Sequence, residues 1–337
     1  MDAYIVPRGC REIEELRPIR RPDPRPAAGQ VLLRVRAASL NYRDQAIVAG
    51  TYAGGAVAED TIPLSDGAGE VAEVGPGVTR FKPGDRVAGT FFQRPPSGFS
   101  SGGRAALGWP LDGMLAEQVL LYEDGVVAIP RDYSFEEAAC LPCAAVTAWH
   151  ALVHAGKPVR TGDTVLVLGT GGVSIFALQF ARAGGARVIA TSSSDDKIDR
   201  LKTLGACDAV NYKTTPDWEQ RVVELTGGRG VDCVVEIGGA GTLNRSFQTL
   251  AAGGKVVLIG MLAERDGNVN PYVLMGKNGS LHGVFVGDRD MFEEMNRAID
   301  VNRIKPVVDR VFSFDQAVAA YRHHQSGQFV GKVVIAI

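Results

Sequence analysis

The stretch "TVLVLGTGGVSIFALQFARAGGARVI", residues 164–189, limits what this chain can fold into more than any other. An apolar run, a glycine turn, a helical pattern and a second apolar run follow one another without a break. Strands this uniformly apolar need cover on both faces, which points to a parallel sheet flanked by helices. In the helical part Val173, Phe176, Ala177, Phe180 and Ala181 share one face. The turn sets Gly169 and Gly171 at the first two places of G-x-G-x-x-G, with Ser174 at the last and Gly172 and Val173 between. Bare backbone at the first two lets a pyrophosphate approach the following helix, whose N–H groups and dipole favour an anion. The third place asks only for a small residue. Lying between a strand and a helix, the motif predicts a dinucleotide site.

Such a unit commonly ends in an acid that grips the adenosine ribose about 20 residues past the turn. Here the second strand ends in "ATSSSDDK". A carboxylate would repel a 2′-phosphate, whereas Ser192, Ser193 and Ser194 can donate hydrogen bonds to one and Lys197 can balance its charge. Asp195 and Asp196 fall where the next helix begins, a position that suits negative charge. Tyr212, ending the following strand, is expected beside the adenine or the phosphate. The charge argument selects NADPH over NADH.

The apolar runs continue with "DAVNY", "VDCVVEIG", "KVVLIG" and "LHGVFVG", separated by helical patterns. Before about residue 128 the text differs: short alternating runs between glycine and proline turns predict a β-rich domain. "SFEEAACLPCAAVTAWHALV" reads as a helix, with Ser134 and Glu137 in capping-box positions. Residues 91–113 are irregular, which marks a loop that shapes a site or moves. The chain's last pieces are too few for a third domain and are expected to rejoin the first. The predicted organisation is residues 1–127 completed by 290–337, with 128–289 inserted as the nucleotide-binding domain.

A net charge of −2 gives no basic surplus for nucleic acid, and no apolar run approaches a membrane span. A charged N-terminus lacks a signal-peptide core, so the expectation is a cytoplasmic protein. The 5 cysteines are scattered and odd in number, against a disulfide framework, and "CLPC" reads as two small buried thiols. His150 and His154 stand four apart without the glutamate of H-E-x-x-H, and His323 and His324 are neighbours that point apart on a helix.

Taken in order, "VLLRVRAASLNYRD", "PLSDGAGEV", "GDRV", "LPCAAVTAWHAL", "GTGGVS" and the terminal "GKVVI" resemble the medium-chain dehydrogenase/reductase superfamily, in particular its zinc-free branch of quinone oxidoreductases and enoyl reductases. The resemblance implies a GroES-like β-rich catalytic domain, a Rossmann doubly wound sheet inserted in it, and a nicotinamide in the cleft between them. It gives Lys197 and Tyr212 to the 2′-phosphate and Thr147 to the nicotinamide. The ring is lined by loops that carry Gly238, Gly260, Phe285 and Val286, and Lys332 joins the cofactor contacts. Zinc-dependent relatives carry a cysteine at the place of Asn41 and a His-Glu pair at Ser65 and Asp66, so that only Cys143 stands at a zinc-ligand position; no metal is expected.

Without a metal, charge developing on the acceptor must be spread by the acceptor or held by hydrogen bonds. Conjugated carbonyls (enones, enals) and quinones spread it. A tyrosine placed like Tyr52 is the proposed proton donor in similar enoyl reductases, the alternative being water. Asn41 is a candidate to orient the substrate or the ribose, Asp44 is expected to be a structural acceptor, and Tyr42, Phe91 and Trp109 are candidates to wall an apolar pocket. Two further readings stay open: an NADP-linked alcohol or aldehyde dehydrogenase without zinc, and a non-catalytic NADPH-binding regulator. "LHGVFVG" is either an edge strand that pairs across a homodimer or is covered within the monomer.

Overall fold

In the computed structural model, residues 1–52, 55–93, 105–262 and 267–337 are described. The chain forms two compact units: Met1–Val146 with Gly287–Ile337, and Thr147–Val286. The C-terminal pieces therefore belong to the first unit, and the division falls at Val146/Thr147, inside the helical run that begins at Phe135.

The first unit is built on a sheet of 7 strands whose long member is Gln30–Ser39. Val31, Leu33 and Val35 turn inward while Arg34 and Arg36 face solvent, the alternation of a strand with one covered face. The last strand, Lys332–Ala336, pairs antiparallel with it, Val334 opposite Ser39. Leu40 N–H then donates to the Val333 carbonyl (3.0 Å), so the chain's end lies against Leu40 and Asn41. This pairing positions the site described below. Within the irregular region, Phe92–Gln93 pairs with Ala105–Ala106 as a two-stranded ribbon. Residues 94–104 between them lie outside the described residues.

The second unit is a wholly parallel sheet of 6 strands. Its order is Asp208–Asn211, Arg187–Ser192, Thr164–Leu168, Val231–Glu236, Leu250–Leu258, Ser280–Gly283. The direction of winding reverses between Thr164–Leu168 and Val231–Glu236, the point at which a doubly wound sheet opens a crevice at its carboxyl ends. Every residue of Thr164–Leu168 is buried, as its apolar text required. The helix Gly172–Ala183 is covered more widely than one face: Ser174, Ile175 and Leu178 are buried together with Phe176, Ala177 and Phe180. Trp149 packs edge-on to Phe180, their ring centroids 5.4 Å apart, and adds cover to the face that periodicity marked.

The expected helix from Ser134 starts as the capping box predicted, with Glu137 N–H donating to Ser134 Oγ (3.2 Å) and Ser134 N–H donating to Glu137 Oε2 (2.8 Å). It does not continue as a plain α-helix. Leu141–Ala145 and His150–His154 are widened π turns. The first has a visible cause: Cys143 N–H donates to Asp66 Oδ2 (3.0 Å), and that acceptor takes it off the helical ladder.

Candidate active site

The expected nucleotide-binding residues lie at the carboxyl edge of the parallel sheet. Gly169 has φ +73°, where a side chain would be strained, and its N–H donates to the Thr191 carbonyl (2.9 Å). Gly171 is different. Its φ is −74°, and a Cβ built on it would meet nothing within 4 Å. Neither the backbone nor the protein's packing requires glycine there, and the position is open to close approach from outside. Ser174 fits because its hydroxyl donates to the Leu168 carbonyl (2.6 Å), tying the turn to the strand.

Ser192 lies opposite Asn211 in the sheet, and Tyr212 N–H donates to the Ser192 carbonyl (3.0 Å). Ser194 precedes the helix Asp195–Thr203, which carries Lys197 in its first turn. Ser192, Ser193, Lys197 and Tyr212 thus share one end of two neighbouring strands and one helix start. Tyr212 is 42% exposed. Asp195 is not free to meet a ligand as a bare acid, because its Oδ1 accepts from Asn211 Nδ2 (2.8 Å) and pins the helix start to the end of the neighbouring strand.

Two more loops follow at the same edge. Glu236 is buried and accepts from Gly238 N–H (2.7 Å), Gly239 N–H (3.2 Å) and Thr242 Oγ1 (2.6 Å), and also from Ser246 Oγ. One carboxylate therefore fixes the turn that carries Gly238 and the start of the helix behind it. Gly260, after the next strand, sits so close to Ile237 that a Cβ would lie 2.3 Å from its carbonyl oxygen. Val286 has φ +56°, an unusual conformation for a β-branched residue. His150 Nδ1 holds its carbonyl at 2.6 Å. Phe285 beside it is 55% exposed, and Thr147 is buried in the preceding helical run.

In the first unit, Asn41 precedes the helix Tyr42–Val48, and its N–H donates to Asp44 Oδ2 (2.7 Å). The Lys332 ammonium is buried and donates to the Leu40 carbonyl and to Asn41 Oδ1, each at 2.6 Å, with Asp66 Oδ2 at 3.7 Å. Ser65 Oγ donates to Asp66 Oδ1 (2.7 Å). Burial, reinforced by Asp66, pushes the Cys143 thiol far above its ordinary value. Arg43 is also buried. It donates to the carbonyls of Leu107 (2.8 Å) and Trp109 (3.0 Å), and its guanidinium lies over the rings of Tyr52 (5.1 Å) and Phe91 (4.8 Å). Tyr52 and Trp109 meet edge to face at 6.0 Å.

Residues 27–131 match the family of alcohol dehydrogenase GroES-like domains, and residues 172–300 match that of zinc-binding dehydrogenases. A zinc-type alcohol dehydrogenase-like protein of Schizosaccharomyces pombe is 43% identical over 92% of this chain and 91% of its own length. The medium-chain dehydrogenase/reductase family is where this chain belongs. Rat quinone oxidoreductase is 29% identical over 93% of the chain and 91% of its own length. A solved NAD-dependent alcohol dehydrogenase superposes with a TM-score of 0.91 at 34% identity, covering 100% of both chains. The protein is an oxidoreductase of that family.

Within this medium-chain oxidoreductase, the expected site residues have definite neighbours. Phe91 is buried, with the Arg43 guanidinium over its ring and Phe92 against it (centroids 4.8 Å). Lys332, expected among the cofactor contacts, spends its ammonium on Leu40 and Asn41. Tyr42 is 51% exposed directly after Asn41. Asp44 is the structural acceptor expected. Arg43, Glu236 and the His150 latch on Val286 were not foreseen. A buried acid followed by two glycines, "EIGG", was the one available signal for Glu236. The histidine pair at 323 and 324 is structural: His323 Nε2 meets Asp309 Oδ2 (2.9 Å), and His324 stacks on Phe329 (4.8 Å). Among the described residues, no three or more His, Cys, Asp or Glu side chains are grouped to hold a metal, and no helix is long and apolar enough to cross a membrane.

Proposed function

We propose that this oxidoreductase is an NADPH-dependent reductase of enones, enals or quinones that works without a metal. The observation that carries the reading is the Lys332 ammonium beside Asp66 and against Asn41. A divalent cation would have to displace a buried positive charge, take an uncharged amide as ligand and deprotonate a thiol that its surroundings keep protonated. Catalytic zinc asks for about three protein ligands, and this donor set does not fit it.

The residues of the second unit fit a phosphorylated dinucleotide. Gly169, Gly171 and the helix start at Gly172 and Val173 would receive the pyrophosphate; Ser192, Ser193, Lys197 and Tyr212 would receive the 2′-phosphate. Thr147, Gly238, Gly260, Phe285 and Val286 would border the ring. Bound there in reduced form, the nicotinamide supplies a hydride. The protein's remaining task is to hold the acceptor and manage its charge. In a conjugated acceptor the electrons reach oxygen as an enolate, so hydrogen-bond donors suffice where an isolated alkoxide would call for a Lewis acid. Tyr52, steadied by Trp109 and the Arg43 guanidinium, would donate its phenolic proton or admit a water that does so. The homodimer expected from the sequence is supported by the outermost strand, Ser280–Gly283, whose Leu281 is exposed, as are Tyr272 and Met275 on the helix that precedes it in the chain.

The test is oxidation of NADPH and NADH against a panel of quinones, enones, aldehydes and alcohols, before and after metal chelation. Turnover of conjugated acceptors that survives chelation is expected. Loss of activity on chelation, or turnover confined to alcohols, would overturn the reading.

A further inference from the structure

We propose that Lys332 is a positioning residue: its buried ammonium fixes the polarity of the Asn41 amide, so that Nδ2 is a committed donor to the acceptor oxygen on which charge gathers. This deepens the reductase reading and rests on it. An asparagine amide has nearly the same shape when turned by 180°, so its hydrogen-bond partners decide which end is the donor. The partner here is a group with donors only. With Lys332 Nζ 2.6 Å from Asn41 Oδ1, the turned amide would set N–H against ammonium and lose a charge-assisted hydrogen bond.

Nothing in this arrangement is loose. The pairing of Lys332–Ala336 with Gln30–Ser39 delivers Lys332, and the Leu40 carbonyl takes a second of its protons. Asp66, itself held by Ser65 Oγ and Cys143 N–H, balances its charge from 3.7 Å. Asp44 fixes the Asn41 backbone. Against this, Asn41 Nδ2 is buried and has no hydrogen-bond partner among the described residues. Buried donors are seldom left unpaired, because the lost hydration is not recovered. A donor that is oriented by a cation and left vacant is poised for an oxygen acceptor. The ammonium behind it also polarises the amide, so the N–H strengthens as the acceptor oxygen gains charge.

The experiment uses Asn41→Asp, Asn41→Ala, Lys332→Met and the Lys332→Met/Asn41→Ala double variant in the full-length protein. Three quantities are read: kcat with an enone and a quinone, NADPH affinity by fluorescence, and melting temperature. A fourth arm measures binding of 4-nitrophenolate, a stable planar oxyanion, to the NADP+ complex. Asn41→Asp keeps the contact to Lys332 as an ion pair and removes the donor. It should melt no lower than the parent, lose about a hundredfold in kcat, as removal of an oxyanion donor does, and bind 4-nitrophenolate at least about tenfold more weakly. Lys332→Met should lose kcat comparably, and the double variant should be no slower than Asn41→Ala, because the lysine acts through the amide. Retention of kcat within about threefold in Asn41→Asp, losses that multiply in the double variant, or a change confined to NADPH affinity would overturn the proposal. If Lys332→Met does not fold, retention of kcat in Asn41→Asp still overturns the proposal. The 4-nitrophenolate arm needs no turnover: a parent that binds the anion through Asn41 but reduces no acceptor refutes the reductase reading alone, and one that binds it equally with and without Nδ2 refutes this one.

Discussion

Replacing Asp44 by asparagine should stabilise this protein at neutral pH and leave its stability in acid almost unchanged. Asp44 is buried, and burial pushes its carboxyl from 3.8 up to about 6; Arg43 opposes the rise without cancelling it. An acid whose folded pKa exceeds its unfolded value favours folding while protonated. That contribution is complete below about 3.8 and is lost as pH climbs through about 6. Two pKa units correspond to about 3 kcal/mol, and the carboxyl has no solvent exposure to screen the effect. The amide introduced by Asp44→Asn would keep an oxygen for the Asn41 N–H and carry no charge at any pH. Urea unfolding of parent and variant at pH 4, 5, 6, 7 and 8 checks this. The variant's advantage should open between pH 4 and 6 and then level near 3 kcal/mol. A gap independent of pH, or one that closes as pH rises, would refute the reasoning.

Lys197→Ala should weaken NADPH by roughly tenfold or more while leaving NADH nearly unaffected, since only one of them carries the 2′-phosphate; titrating both by fluorescence checks it, and equal weakening would remove the phosphate role. His324 is pushed down to about 3 by burial, with Lys332 and His323 adding to the fall. A histidine depressed in this way supports folding above about 6.5 and loses that support as pH drops toward 3, about 2 kcal/mol by pH 5. His324→Gln should therefore flatten the acid limb of the stability profile, and an unchanged limb in the variant would count against the account.

The two units differ in how far their text disclosed them. The parallel sheet was legible because a strand buried on both faces has no choice but to be apolar throughout, and because a glycine turn between strand and helix has few physical uses. Even the serine at 174 is explained by one hydrogen bond to Leu168. What the text concealed was contact between distant residues. Trp149 packs on Phe180 of the helix Gly172–Ala183, and Ser174, Ile175 and Leu178 are buried beyond the face that the pattern marked. Asp66 draws Cys143 N–H aside from 77 positions away, within the first of the two π turns that interrupt the expected α-helix. Phe91 reads as a loop aromatic until Arg43 is seen lying on it.

The sharpest case is Lys332. Its position in "GKVVI" marks it as part of a terminal strand, and its charge invites a phosphate; neither property shows that an antiparallel pairing carries it to Asn41, 291 positions away in sequence. A lysine loses most of its hydration on burial, so a fold keeps one inside only when fixed acceptors and a counter-charge meet it. Leu40, Asn41 and Asp66 meet that condition here. The same three contacts leave the Asn41 amide able to present only its N–H face, which ties the stability of a buried cation to the direction of a hydrogen bond in the site. Asparagine without the lysine would be free to turn. Lysine without the asparagine would hold its charge beside a site that has lost its donor.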